Sequence, residues 1–245
     1  MDEEIRMPVE LAGQKFILLL HGREAEKYIS AFRTADSGDA PELGVSEAEI
    51  RLFTPAFPEG TVREEIEVSV LAEKVSDLLL DRECCMFHAL AFFWQGRAWL
   101  FTAPSGTGKS TQYFLWKRQF GDELQVINGD KPFLNVHGEV PEILPSPWKG
   151  KEGIANNIRA ELGGVILLLQ SGENRIRRLR REEAIAPIFR QFIFSASDGE
   201  SIEKVCRIEE KLLNSVPVFL LENRGDNESA KLTRDRLLAF LEDGE

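Results

Sequence analysis

The run Ala103-Pro104-Ser105-Gly106-Thr107-Gly108-Lys109-Ser110 restricts the fold of this chain more than any other feature. An apolar strand, Ala98-Trp99-Leu100-Phe101, leads into it, and a helix from Ser110 to Arg118 is expected to follow. Strand, glycine-rich turn and helix in that order aim successive backbone N–H groups at one point, at the mouth of a helix whose dipole favours negative charge. Gly106 and Gly108 allow the close approach and the backbone angles that side chains would forbid. In such a loop the lysine reaches the β and γ phosphates of a nucleotide and the next hydroxyl ligates Mg²⁺, roles that fall to Lys109 and Ser110. Thr111 opens the helix. Ser105, Gly106, Thr107, Gly108, Lys109, Ser110 and Thr111 are therefore the expected binding residues for a nucleoside triphosphate, ATP with Mg²⁺. The usual pattern starts with glycine, and Ala103 stands in that place; the flanking strand and helix keep the assignment.

Phosphoryl transfer also needs a metal-binding carboxylate and a group that takes or orients the attacking proton. Asp130 ends the next expected strand, Leu124 to Ile127 followed by Asn128-Gly129-Asp130, where it can face the loop. The same tripeptide is also suited to an Asx turn.

Along the rest of the chain, residues 15–20 read as a strand and Arg23 to about Phe32 as a helix. Thr34 to Gly44 reads as a loop, and Glu49 to Phe53 as a strand. Ser69 to Arg82 carries apolar residues at helical spacing, with Ser69 placed as N-cap. His88 to Trp94 and Arg97 to Thr102, joined by Gln95-Gly96, predict a hairpin. Phe133 to Val136, Leu162 to Gln170, Arg175 to Leu179 and Val216 to Leu221 are expected strands. Arg181 to Phe194, Glu200 to Leu213 and Asn227 to Glu242 are expected helices, and the Pro- and Gly-rich residues 141–153 a loop over the site. A hairpin directly before the phosphate loop predicts a mixed β-sheet, because a purely parallel domain would place a helix there. The weakest seam, near residues 82–86, divides the chain into an N-terminal α/β subdomain, 1–83, and a second domain, 84–245.

A net charge of −11 argues against nucleic acid as a partner, since duplex binding needs a concentrated basic face. The densest basic stretch, Arg175, Arg177, Arg178, Arg180 and Arg181, reads as a solvated strand edge. The three cysteines, Cys84, Cys85 and Cys206, lack the spacing of a disulfide scaffold or a zinc site, which points to a reduced, cytoplasmic setting. The acidic start of the chain differs from a secretory signal. The longest apolar runs, Phe16 to Leu20 and Val165 to Leu169, are too short for a bilayer, so no membrane association is expected.

The segment from Phe87-His88-Ala89-Leu90 through Ser105-Gly106-Thr107-Gly108-Lys109-Ser110-Thr111 resembles the HPr kinase/phosphorylase and ATP-dependent phosphoenolpyruvate carboxykinase superfamily. In both branches a His begins the strand pair before the phosphate loop, which implies that His88 lies beside the γ-phosphate and metal. Asn128-Gly129-Asp130-Lys131-Pro132 is similar to the Asp-Asp element of this superfamily. Asp130 matches the second Asp, which implies metal coordination, while Gly129 stands where HPr kinases carry their general base. Ser146-Pro147-Trp148-Lys149-Gly150-Lys151-Glu152 looks like the Pro-Trp-x-Gly-Lys element of small peptide serine kinase-like proteins. Lys149 and Lys151 are accordingly candidate phosphate or acceptor contacts, or else parts of a solvated loop packed down by Trp148. A carboxykinase is far longer, and the HPr kinase signature after the Asp pair is missing, so the smaller branch is the one resembled. It implies an α/β fold with a mixed β-sheet P-loop core of the phosphoenolpyruvate carboxykinase/HPr kinase type and flanking helices.

The expected activity is transfer of the ATP γ-phosphoryl group to a hydroxyl, such as a serine of a peptide or small protein. His88, Lys109 and Asp130 are the catalytic candidates, with Ser110 and Asp130 on the metal. A nucleotide-binding regulatory module and a small-metabolite kinase are the alternatives. Gly129 favours the first of these. Neither adenine over guanine nor an oligomeric state is legible, although HPr kinases assemble as homo-oligomers.

Overall fold

A computed structural model describes residues 4–35, 38–104, 106–150 and 153–243. The N-terminal third builds a small sheet. Strands β1 (Glu4–Leu11) and β2 (Gln14–His21) pair antiparallel through a turn at Ala12-Gly13, where both residues have positive φ. After α1 (Arg23–Ile29), β3 (Glu42–Leu43) adds parallel to β2, and α2 (Glu47–Phe53) and α3 (Arg63–Leu79) follow. Strand β1 goes beyond the sequence expectation, although Met7, Val9 and Leu11 alternate inward along it.

Two expectations in this region are corrected. Glu49 to Phe53 is helical, because Ser46 and Glu49 form a reciprocal capping box: the Ser46 hydroxyl accepts the Glu49 N–H, and the Glu49 carboxylate accepts the Ser46 N–H at 2.8 Å. Ser69 is not an N-cap. Helix α3 begins at Arg63, and its buried stripe already includes Ile66 in the first turn.

The second sheet comprises β4 (Cys84–Phe87), β5 (Leu90–Trp94), β6 (Arg97–Thr102), β7 (Gln125–Asn128), β8 (Phe133–Asn135), β9 (Glu142–Leu144), β10 (Ala160–Gln170), β11 (Arg175–Arg178), β12 (Phe192–Ile193) and β13 (Val218–Asn223). Its order is β12-β4-β8-β9-β10-β6-β5-β7, with β13 on β10 and β11 outside β13. The sheet is mixed: β6, β10 and β13 run parallel, while β5 is antiparallel to β6 and to β7. The hairpin of β5 and β6 turns at Gln95-Gly96 with φ of 51° and 73°, the pair of left-handed residues that a two-residue hairpin needs.

Helices α4 (Lys109–Phe120) and α7 (Asn227–Asp243) cover one face. Helices α5 (Arg181–Phe189) and α6 (Gly199–Ser215) cover the other. The period-two alternation of β6 divides its side chains between them, Trp99 and Phe101 toward α4 and α7, Ala98 and Leu100 toward α5 and α6. The expected helix to Phe194 stops at Phe189, since Phe192-Ile193 is taken up as β12 by pairing with β4. Within the expected loop 141–153, Glu142–Leu144 forms β9, recruited by both β8 and β10. Among the described residues the arginine-rich β11 pairs only with β13 and is an edge, its Arg177 bound to Glu183. Among the described residues no helix is long and apolar enough to cross a membrane.

Candidate functional site

The mixed strand order gathers distant segments at one end of the sheet. Strand β6 enters the glycine-rich loop there, and β7, which runs the same way, delivers Asn128-Gly129-Asp130. Strand β5 runs oppositely, so His88, just ahead of its first residue, lies at that end too. The sequence placed His88 on the hairpin; it sits in the break between β4 and β5. Gln170 and Asn223 end β10 and β13 at the same edge, and Gln170 Nε2 reaches the Gly106 carbonyl at 3.5 Å.

In the loop, Gly106 and Gly108 have φ of 78° and 114°, where an L side chain is strained. Lys109 opens α4, and its Nζ donates to the Ala103 carbonyl at 3.0 Å, folding the ammonium back over the loop. Ser110 and Thr111 occupy the same first turn. Ser105 and Lys151 lie outside the described residues. The sequence reading missed what fixes this turn. Buried Gln112 donates to Asn223 Oδ1 at 3.2 Å and to Ser229 Oγ at 2.9 Å, tying α4 to β13 and α7. A glutamine in register with Leu115 and Trp116 on the buried face of α4 was the available signal.

His88 and Asp130 meet directly: His88 Nε2 lies 3.4 Å from Asp130 Oδ1, and Lys131 Nζ lies 3.0 Å from Asp130 Oδ2. Backbone bonds hold this cluster from several sides. The His88 N–H donates to the Gln191 carbonyl, Thr102 Oγ1 donates to the His88 carbonyl at 2.7 Å, and the Ala89 N–H donates to the Asp130 carbonyl. Asn128, fully buried, completes the frame. Its Oδ1 accepts the N–H groups of Asp130 and Lys131, both at 2.8 Å, and its Nδ2 donates to the Ser146 carbonyl and hydroxyl. The Asx turn and the site carboxylate are thus one device, the first aiming the second. Burial pushes the Asp130 carboxyl up, but His88 and Lys131 outweigh it and hold it down at about 2. Asp130 is consequently ionised at neutral pH.

Gly129 is required by crowding rather than by φ. A Cβ there would lie 2.7 Å from the Lys149 carbonyl and 3.1 Å from that of Ile154. No acid can stand at this position unless the backbone at Lys149 and Ile154 moves. Lys149 and its neighbour are held in turn: Trp148 is buried and its Nε1 donates to the Val68 carbonyl of α3 at 2.7 Å, and the Lys149 N–H donates to the Tyr28 hydroxyl at 3.2 Å. Burial raises the Tyr28 phenol, the N–H groups of Lys149 and Gly150 pull it down, and the Asp130 charge raises it.

A narrow cleft beside the cluster is lined by Leu90, Ser110, Tyr113, Val126, Gly129 and Ile154. It brings the Ser110 side of α4 opposite the end of β7. Through Tyr113, Val126 and Ile154 it continues into a broader groove along β7, walled by Lys117, Leu124, Asn156 and Ile158. Among the described residues no three His, Cys, Asp or Glu side chains gather as a metal centre. A carboxylate just beyond β7 and the Ser110 hydroxyl in the first turn of α4 are oxygen donors of the kind that Mg²⁺ takes.

No protein family matches the chain, and no curated protein matches it. The fold is similar to the structure of the Hpr(Ser) kinase/phosphatase from Coxiella burnetii. That likeness spans 65% of this chain and 94% of the other, with 14% sequence identity and a TM-score of 0.38. A likeness this loose assigns nothing to the chain's residues.

Proposed function

We propose that this chain is an ATP- and Mg²⁺-dependent phosphotransferase that moves the γ-phosphoryl group to a hydroxyl, in the first instance a serine of a peptide or small protein. The observation that carries it is the joining of three remote segments, phosphate loop, His88 and Asp130, at one end of the mixed sheet, with His88 and Asp130 3.4 Å apart. Lys109 and the loop amides hold the phosphates. Asp130 and the Ser110 hydroxyl hold Mg²⁺, which when bound neutralises charge on the β and γ phosphates. His88 takes the acceptor proton as the acceptor oxygen bonds to phosphorus and the bond to the β-phosphate oxygen breaks. Asp130, ionised and paired, is a poor base and a good metal ligand. Lys149, whose carbonyl abuts Gly129, serves as an acceptor or phosphate contact. The reaction proceeds chiefly by positioning and charge neutralisation.

A second reading, a nucleotide-binding regulatory module, is favoured by Gly129. The carbonyls of Lys149 and Ile154 leave no room for the acid that would act as base beside Asp130. One experiment separates the readings: labelled γ-phosphate transfer to candidate peptides by wild type and Lys109→Ala. Transfer that falls at least about 100-fold in the variant supports the kinase. Transfer indifferent to Lys109 sinks it, and tight ATP binding without turnover on any acceptor selects the regulatory module.

A further inference from the structure

The pairing of Asp130 raises a question that metal binding alone does not answer. Both of its oxygens are already engaged, Oδ1 by His88 Nε2 at 3.4 Å and Oδ2 by Lys131 Nζ at 3.0 Å. A hard cation on either oxygen competes with these partners for the same charge, and it repels the ammonium beside it most. Lys131 is the partner able to leave. Its backbone is pinned, the N–H shared between Asn128 Oδ1 at 2.8 Å and the Trp148 carbonyl at 3.1 Å, while its side chain is 29% exposed on a flexible stem. The His88 backbone is pinned as well, at its N–H and its carbonyl, but its side chain turns about two bonds only, against four in lysine, and has less reach to swing from Asp130 to a neighbouring ligand.

We propose that Lys131 is a second phosphate-binding cation, stored on Asp130 in the nucleotide-free protein and released when the metal arrives. Asp130 Oδ2 exchanges the ammonium for Mg²⁺, and Nζ, still anchored one residue away, turns to an oxygen of the transferring phosphate. No covalent bond changes in this exchange. The stored ion pair keeps the buried carboxylate compensated when no nucleotide is bound, which an isolated charge at that depth would not be. It also discourages metal from binding alone, so that cation and nucleotide enter together. The inference rests on the proposed nucleotide site and concerns a residue outside it.

The experiment uses the full chain in four forms: wild type, Lys131→Gln, Lys131→Arg and Lys109→Ala. Two quantities are measured: Mn²⁺ affinity of the nucleotide-free protein by electron paramagnetic resonance, and ATP affinity with Mg²⁺ by calorimetry. Thermal melting first establishes that each variant folds. Lys131→Gln is expected to bind Mn²⁺ about tenfold more tightly than wild type, because a competing cation has gone. It is expected to bind Mg-ATP about tenfold more weakly, because a charge-assisted contact has gone. Lys131→Arg, which keeps the charge, is expected to restore both toward wild type. Opposite signs for the two ligands are what a purely structural lysine does not produce. Unchanged or weakened Mn²⁺ affinity in Lys131→Gln overturns the exchange even if ATP binds in a Lys109-dependent way. ATP binding that is absent from wild type, or indifferent to Lys109, overturns the nucleotide site and this inference together.

Discussion

At the residue scale the site depends on a few side chains whose work is to hold others. Asn128 touches no proposed ligand, yet its amide carries two accepted and two donated hydrogen bonds that shape Asn128-Gly129-Asp130 and clamp it to Ser146. Asn128→Ala leaves the Asp130 and Lys131 N–H groups and the Ser146 carbonyl without these partners. We expect a loss of about 2–3 kcal/mol in stability, read by chemical denaturation, together with weaker Mg-ATP binding as Asp130 loses its aim. Conservative Asn128→Asp retains the acceptor and is expected to recover part of both. The strand, glycine-rich turn and helix of β6 and α4 were legible because their signals are local: apolar spacing in the strand and glycines at the two positions of positive φ. His88 was placed by resemblance, but its partner and its backbone grips come from Gln191 and Thr102, which no spacing in the chain brings near it.

At the element scale a buried carboxyl stands out, that of Glu209, on the face of α6 that packs against α5. It is 5% exposed, and among the described residues its Oε1 has no hydrogen-bond partner. Burial drives its carboxyl up to about 7, against the opposing influence of a Phe189 backbone hydrogen bond and the Arg181 charge. A carboxyl raised on folding stabilises the protein most below its ordinary range. That contribution is lost as pH climbs from the unfolded value of 4.5 through about 7. The melting temperature of wild type is therefore expected to decline from pH 5 to pH 8, and that of Glu209→Gln to decline less; equal slopes would refute the assignment. The misread elements have two physical causes, one local and one long-range. Glu49–Phe53 has the apolar spacing of a short strand, and the capping box of Ser46 and Glu49 overrides it. Phe192-Ile193 and Glu142–Leu144 are too short to announce themselves, and partners far along the chain make them strands.

At the scale of the whole molecule the small N-terminal sheet and the large sheet share a core. Met7, Leu18, Leu71 and Val75 pack in one cluster with Cys84, Met86, Phe133, Leu144 and Trp148 from beyond the sequence seam. The same contact reaches the site, since α3 receives the Trp148 indole and α1 supplies the Tyr28 hydroxyl to the loop that crowds Gly129. A chain lacking residues 1–82 would expose that cluster, and the several buried apolar side chains concerned contribute about 1.5–3 kcal/mol each. We expect it to be insoluble or molten by near-ultraviolet circular dichroism. A cooperative melt at the wild-type temperature would show instead that the large sheet is self-sufficient.

The sequence by itself determined the strand-loop-helix that can cradle phosphates, the hairpin before it and hence a mixed sheet, because each is written in local spacing and turn chemistry. It also pointed to Asp130 as the nearest carboxylate. Only the tertiary structure decided that His88 and Lys131 share that carboxylate, that Gln112 ties α4 to β13 and α7, and that Gly129 is enforced by two carbonyls from another segment. Apart from the neighbouring Lys131, these are contacts between segments some twenty or more residues apart, set by strand order and packing.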